Sequence, residues 1–98
     1  MDDNTILVFM SDNGGKVFKR AKTKSNAPLR GGKTELFEGG TRVVGYIQGP
    51  GIPRNVSFDG MMHMVDWLPT LISAAGGHSA RGLDGLSIMS SIVRGNFK

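Results

Sequence analysis

The chain of 98 residues contains no cysteine. That absence excludes disulfides, thiolate metal sites and a cysteine nucleophile. Long apolar runs are missing too. The longest strongly apolar stretch is Ile6–Met10, far short of the ~20 residues of a membrane span, so no membrane contact is expected. The start, Met1-Asp2-Asp3, is acidic and does not read as a signal peptide. Between Lys16 and Lys33 there is no acidic residue, while Lys16, Lys19, Arg20, Lys22, Lys24, Arg30 and Lys33 are all basic. Positive charge is thus concentrated in one segment, which points to an anionic partner or to a solvated lysine-rich loop.

Glycine is abundant, 15 of 98 residues, about twice the usual ~7%. Pairs at 14–15, 31–32, 39–40 and 76–77 predict tight turns and close backbone approaches. Thr5–Met10 (TILVFM) reads as a strand covered on both faces in a parallel or mixed sheet. Ser11–Gly15 then forms the loop at its C-terminal end, where open α/β sheets place ligand-binding groups. Residues 16–41 show no sustained period and read as a long loop. Arg42–Gln48 (RVVGYIQ) reads as a second strand, stopped by Gly49-Pro50-Gly51.

Asp66 is placed as a helix N-cap ahead of WLPTLISAAG, with Pro69 in the first turn and Gly76-Gly77 as the stop signal. Leu68, Leu71, Ile72 and Ala75 share one face of that helix. A turn at Leu83-Asp84-Gly85 precedes a weaker helix over Ser87–Val93. Two strands and one good helix leave apolar faces without partners, so the arrangement reads as incomplete α/β, an interior slice of a larger domain.

Asp12 and Asn13 are both oxygen donors of the kind hard cations such as Ca²⁺ prefer. A self-bonded turn is the alternative reading. Two ligands are too few for Ca²⁺, which takes about six to eight; the others must come from elsewhere. In Pro28-Leu29-Arg30-Gly31-Gly32-Lys33, a lysine amid glycines can approach an anion closely, or can be a plain surface lysine. Glu38 and Arg42 are spaced for a structural ion pair. Gly32-Lys33-Thr34 is no phosphate loop, because Ala27 stands where that motif needs its first glycine. His63, among methionines, and His78 are read as packed or hydrogen-bonded rather than catalytic. Asn55-Val56-Ser57 is an N-glycosylation sequon, a hint of a secreted or lysosomal parent.

Four blocks in order, NTILVFMSDNGG (4–15), NAPLRGGKTELFEGGTRVVGYI (26–47), HMVDWLPTLISAAGG (63–77) and LDGLS (83–87), resemble the sulfatase family, most closely its arylsulfatase B-like members. The resemblance implies an alkaline-phosphatase-like α/β/α sandwich with a mostly parallel sheet, of which residues 1–98 are a fragment of the catalytic domain. It implies a sulfuric ester hydrolase with an active-site Ca²⁺, Asp12 and Asn13 as metal ligands, and Lys33 as the sulfate contact. The implied partners are a sulfated glycan or aryl sulfate ester and the rest of the sulfatase domain; nucleic acid is not expected. The implied location is lysosomal or secreted.

The family's nucleophile is a formylglycine made within a C/S-x-P-x-R motif. Ser25-Asn26-Ala27-Pro28-Leu29-Arg30 carries its proline one position too late for it. The chain alone is therefore expected to be inactive. A non-catalytic anion-binding module built on residues 16–33, and a truncated product without function, remain as alternatives.

Overall fold

The structure, a computed structural model, describes residues 3–18, 25–78 and 81–95. The chain divides into two compact units, Met1–Gly49 and Pro50–Lys98.

In the first unit, β1 (Leu7–Met10) pairs with β2 (Gly45–Gln48), with Leu7 opposite Gln48 and Met10 opposite Gly45. The pairing is antiparallel and, among the described residues, the sheet has two strands. An antiparallel pair fits the mixed alternative read for β1, and a two-stranded sheet does not show the mostly parallel α/β/α sandwich that the resemblance implies. Apolar content alone does not encode strand direction; that depends on which segment arrives alongside. β1 is also not covered on both faces: Leu7 and Met10 are exposed and Phe9 is 61% exposed. Its β-branched and aromatic residues form the strand, but no layer packs over either face among the described residues.

Within the segment expected to be loop lies α1 (Glu38–Thr41), a single helical turn closed by the Arg42 amide donating to the Glu38 carbonyl at 2.8 Å. Gly39 and Gly40 are poor helix formers. They are nonetheless buried there, because the absent side chains let this turn sit against neighbouring backbone. Packing outweighs propensity.

In the second unit, a 3₁₀ turn (Met64–Asp66) leads into α2 (Trp67–Ala74), and α3 (Met89–Arg94) follows. Pro69 lies in the first turn of α2, as expected. Past the end of α2, Gly76 takes φ +77°. Its amide donates to Ser73 O at 3.0 Å and that of Gly77 to Ile72 O at 2.9 Å. These two bonds are a Schellman closure, which Gly-Gly permits without strain.

Asp66 behaves differently from the expected cap. Its side chain makes no cap bond to α2. Instead Oδ2 accepts from the His63 amide at 2.8 Å and Oδ1 from the Leu86 amide at 2.9 Å. His63 Nδ1 in turn accepts from the Val65 amide at 3.4 Å. The pair forms a capping box for the 3₁₀ turn, one step earlier than the sequence pattern suggests. Both amide donors favour the ionised carboxylate and hold the Asp66 carboxyl below the usual range.

The expected apolar face of α2 is largely open, with Leu68 and Leu71 exposed and Ile72 half-buried. The most buried side chain among the described residues is Thr70, at 0% exposure. Its Oγ1 accepts from the Ile88 amide at 3.0 Å, tying α2 to the start of α3. Among the described residues only Ile52 and Ile92 are buried aliphatic side chains, while Leu36 and Met61 are almost fully exposed. So much open apolar surface is characteristic of an interaction face rather than of a finished exterior.

Candidate functional site: a backbone knot below the end of the first strand

The site is built in the first unit, where β1 runs out. The Ser11 amide still pairs with Val44 O at 3.2 Å, and Ser11 Oγ donates to Asn13 O at 2.7 Å. The chain then turns through Asp12 and Asn13. Asn13 Nδ2 donates to Gly14 O at 3.0 Å, so part of the self-bonded turn reading holds. Its carboxamide oxygen has no protein donor among the described residues, and neither has the exposed Asp12 carboxylate.

Gly14 is buried and its amide donates to Gly40 O at 2.9 Å. A Cβ on Gly14 would overlap the carbonyl of Gly39. The turn after β1 and the α1 turn therefore touch backbone to backbone. α1 is linked onward to the third segment, since the Gly39 amide donates to Arg30 O at 2.7 Å. The guanidinium of Arg30 lies over the Phe37 ring, 3.7 Å from its centroid, which fixes the same corner from outside.

The third segment returns to the first. The Lys33 amide donates to Gly15 O at 3.1 Å. Asn26 spans the remaining gap: its Oδ1 accepts from the Gly15 amide at 2.8 Å. Its Nδ2 donates to Gly15 O at 2.7 Å and to Gly31 O at 3.0 Å. Glu35 Oε2 accepts from the Gly32 amide at 3.0 Å and shapes the bend that carries Lys33.

The three residues singled out from sequence thus sit on two segments held together through Gly15. Lys33 is exposed and forms no ion pair with Asp12, so ammonium and carboxylate both remain available to a ligand. Among the described residues, no three His, Cys, Asp or Glu are grouped to hold a metal. Glu38 and Arg42 form the expected ion pair at 3.4 Å, well exposed. Lys16 lies 5.3 Å from the Phe18 ring centroid; Lys19, Arg20, Lys22 and Lys24 lie outside the described residues. Sequence reasoning missed Asn26, Glu35 and Phe37. The signal for Asn26 was present in its position before Ala27-Pro28, since a short carboxamide there is a frequent backbone partner.

The sequence that builds this site has relatives among known proteins. The sequence profile of the family described as Sulfatase matches residues 1–77. The chain belongs to the sulfatase family. It is 38% identical over 96 residues to arylsulfatase J of Mus musculus, covering 95% of this chain and 16% of that protein. It is 36% identical over 94 residues to a sulfatase of Formosa agariphila, covering 90% of this chain and 16% of that protein. With N-acetylgalactosamine-6-sulfatase of Sus scrofa it shares 34% identity over 96 residues, 94% of this chain and 18% of that protein. This sulfatase chain therefore spans less than a fifth of the length of the relatives it matches. No helix among its described residues is long and apolar enough to cross a membrane.

Proposed function

We propose that this chain carries part of a sulfatase active site, within an alkaline-phosphatase-like α/β/α domain completed by further sequence. Asp12 and Asn13 would supply two ligands to Ca²⁺, and Lys33 would contact the sulfate group of a glycan or aryl sulfate ester. The observation that supports this reading is the Lys33 amide bonded to Gly15 O, which sets the basic loop beside the Asp-Asn turn.

The donor set fits a hard divalent cation in kind. A carboxylate and a carboxamide oxygen stand on successive residues, both without protein donors among the described residues. It falls short in number, so the remaining ligands would come from other parts of the enzyme. When bound, the cation would neutralise sulfate oxygens and favour departure of the ester oxygen. The contribution of Lys33 is electrostatic: a fixed ammonium placed against the developing charge, with no proton transferred. Glu38 and Arg42, paired with each other, hold α1 and take no part in chemistry.

No C/S-x-P-x-R segment is present to become the formylglycine nucleophile, so the 98 residues alone are expected to release no sulfate. A secreted or lysosomal setting fits the exposed sequon at Asn55, and one relative is named a putative extracellular sulfatase homolog, of Caenorhabditis elegans.

The test is a Ca²⁺ titration of the chain followed residue by residue by NMR. Saturable shifts at Asp12 and Asn13 that vanish in Asp12→Ala are expected. Shifts spread evenly over the acidic residues, and unchanged in that variant, would remove the cation assignment.

A further inference from the structure

We infer that Asn26 is a positioning residue: its carboxamide is the clasp that fixes Lys33 beside the Asp12-Asn13 turn. The inference rests on the reading of these residues as a cation and sulfate site, and adds the part that holds them in register.

The argument is one of hydrogen-bond accounting. A carboxamide offers two donors and one accepting oxygen. Asn26 uses all three within one small volume: Oδ1 on the Gly15 amide, Nδ2 on Gly15 O and on Gly31 O. Gly15 lies two residues beyond Asn13, and Gly31 two residues before Lys33. Gly15 O also receives the Lys33 amide, so a single carbonyl is shared between the clasp and the loop it holds. Besides the Asn26 contacts, the hydrogen bonds joining the two segments among the described residues are that backbone bond and a longer one from Ser25 Oγ to Lys16 O at 3.5 Å.

No other side chain reproduces this pattern. Aspartate has the same shape but no donors, and would set a negative charge against the carbonyls of Gly15 and Gly31. Glutamine keeps the group but moves it outward by one methylene. Alanine leaves the Gly15 and Gly31 groups to water. In a bound complex an error of about 1 Å in the placement of a charged group costs on the order of a hundredfold in rate. Holding a flexible lysine loop by a rigid three-bond contact is therefore useful to Lys33 itself, beyond any gain in fold stability.

The experiment uses the 98-residue chain, with Asn26→Asp and the neutral Asn26→Ala, and two measurements. The first is amide hydrogen exchange resolved by residue. The Gly15 and Lys33 amides are expected to exchange about tenfold faster in both variants. The Ser11 amide, held by Val44, and the Ala75 amide, held by Leu71, serve as controls and are expected to stay unchanged. Equal acceleration at all four amides, or none at Gly15 and Lys33, overturns the clasp. The second is a titration with inorganic sulfate in the presence of Ca²⁺, read at the Lys33 amide and ammonium. Half-saturation is expected to need about tenfold more sulfate in Asn26→Ala, with the control amides unmoved. An unchanged midpoint alongside faster exchange would reduce Asn26 to a structural contact and end the positioning role. A Lys33 that never responds to sulfate in the unaltered chain would overturn the sulfate contact instead, and the exchange data would still decide the clasp.

Discussion

Gly14 meets Gly39 backbone to backbone, leaving no room for a side chain on Gly14. This contact joins the end of β1 to α1 and sets the level from which Asp12 and Asn13 project.

Gly14→Ala should therefore be among the most damaging small changes in the chain. The overlap is with a carbonyl rather than with the tip of a flexible side chain. A loss of at least about 3 kcal/mol is expected, the top of the usual overpacking range. Gly45 provides the contrast. It lies in β2, has no positive φ, and a Cβ there would meet nothing within 4 Å. Gly45→Ala should gain about 0.5–1 kcal/mol, since glycine in a strand carries excess chain entropy. Urea unfolding of the two variants checks both signs.

Thr70→Val keeps the shape of a fully buried side chain but removes the acceptor for the Ile88 amide. The stranded N–H should cost about 1–3 kcal/mol. Ser at the same position keeps the hydroxyl and should retain the bond, which faster exchange of the Ile88 amide in Thr70→Val alone would demonstrate.

Stability of the second unit should depend on pH through Asp66. Its carboxyl titrates below the usual range because two backbone amides stabilise the charged form. A depressed folded-state pKa contributes stability above the unfolded value of about 3.9, lost as pH falls through the lower folded value. Asp66→Asn should thus lower the melting temperature at pH 7. The difference should close once the pH drops well below about 4. Melting curves that stay equally separated at acid pH would contradict this account.

Ligand removal provides the functional check. Chelation of Ca²⁺, or Asp12→Ala, should weaken sulfate binding at Lys33, because the cation and the ammonium would share one anion. Lys33→Ala should abolish the sulfate response while leaving the Gly15 amide protected. Binding that survives both changes yet falls steeply with added salt would instead favour a diffuse basic surface.

Features with a local cause are legible in the sequence. The end of α2 follows from Gly76-Gly77, and the Glu38–Arg42 pair from four-residue spacing. Asp66 reads as a capping residue, but the residue pattern attaches it to the wrong turn. Its partner His63 lies three residues upstream, and its second partner Leu86 is twenty residues away. The apolar stripe of α2 is legible as a pattern, yet Leu68 and Leu71 are exposed. A stripe reports what a helix could bury, not whether a partner is at hand.

The sequence by itself determined the family, the chemical kinds of donor at 12, 13 and 33, and the stops and turns written in glycine and proline. These depend on residue type and short spacing, which a linear chain displays directly. The tertiary structure alone decided that β1 meets β2 antiparallel, that α1 winds through two glycines, and that Asn26 reaches Gly15 and Gly31 at once. Each of those depends on backbone groups distant along the chain becoming neighbours. Nearly every residue carries the same N–H and C=O, so no pattern of side chains announces which of them will pair.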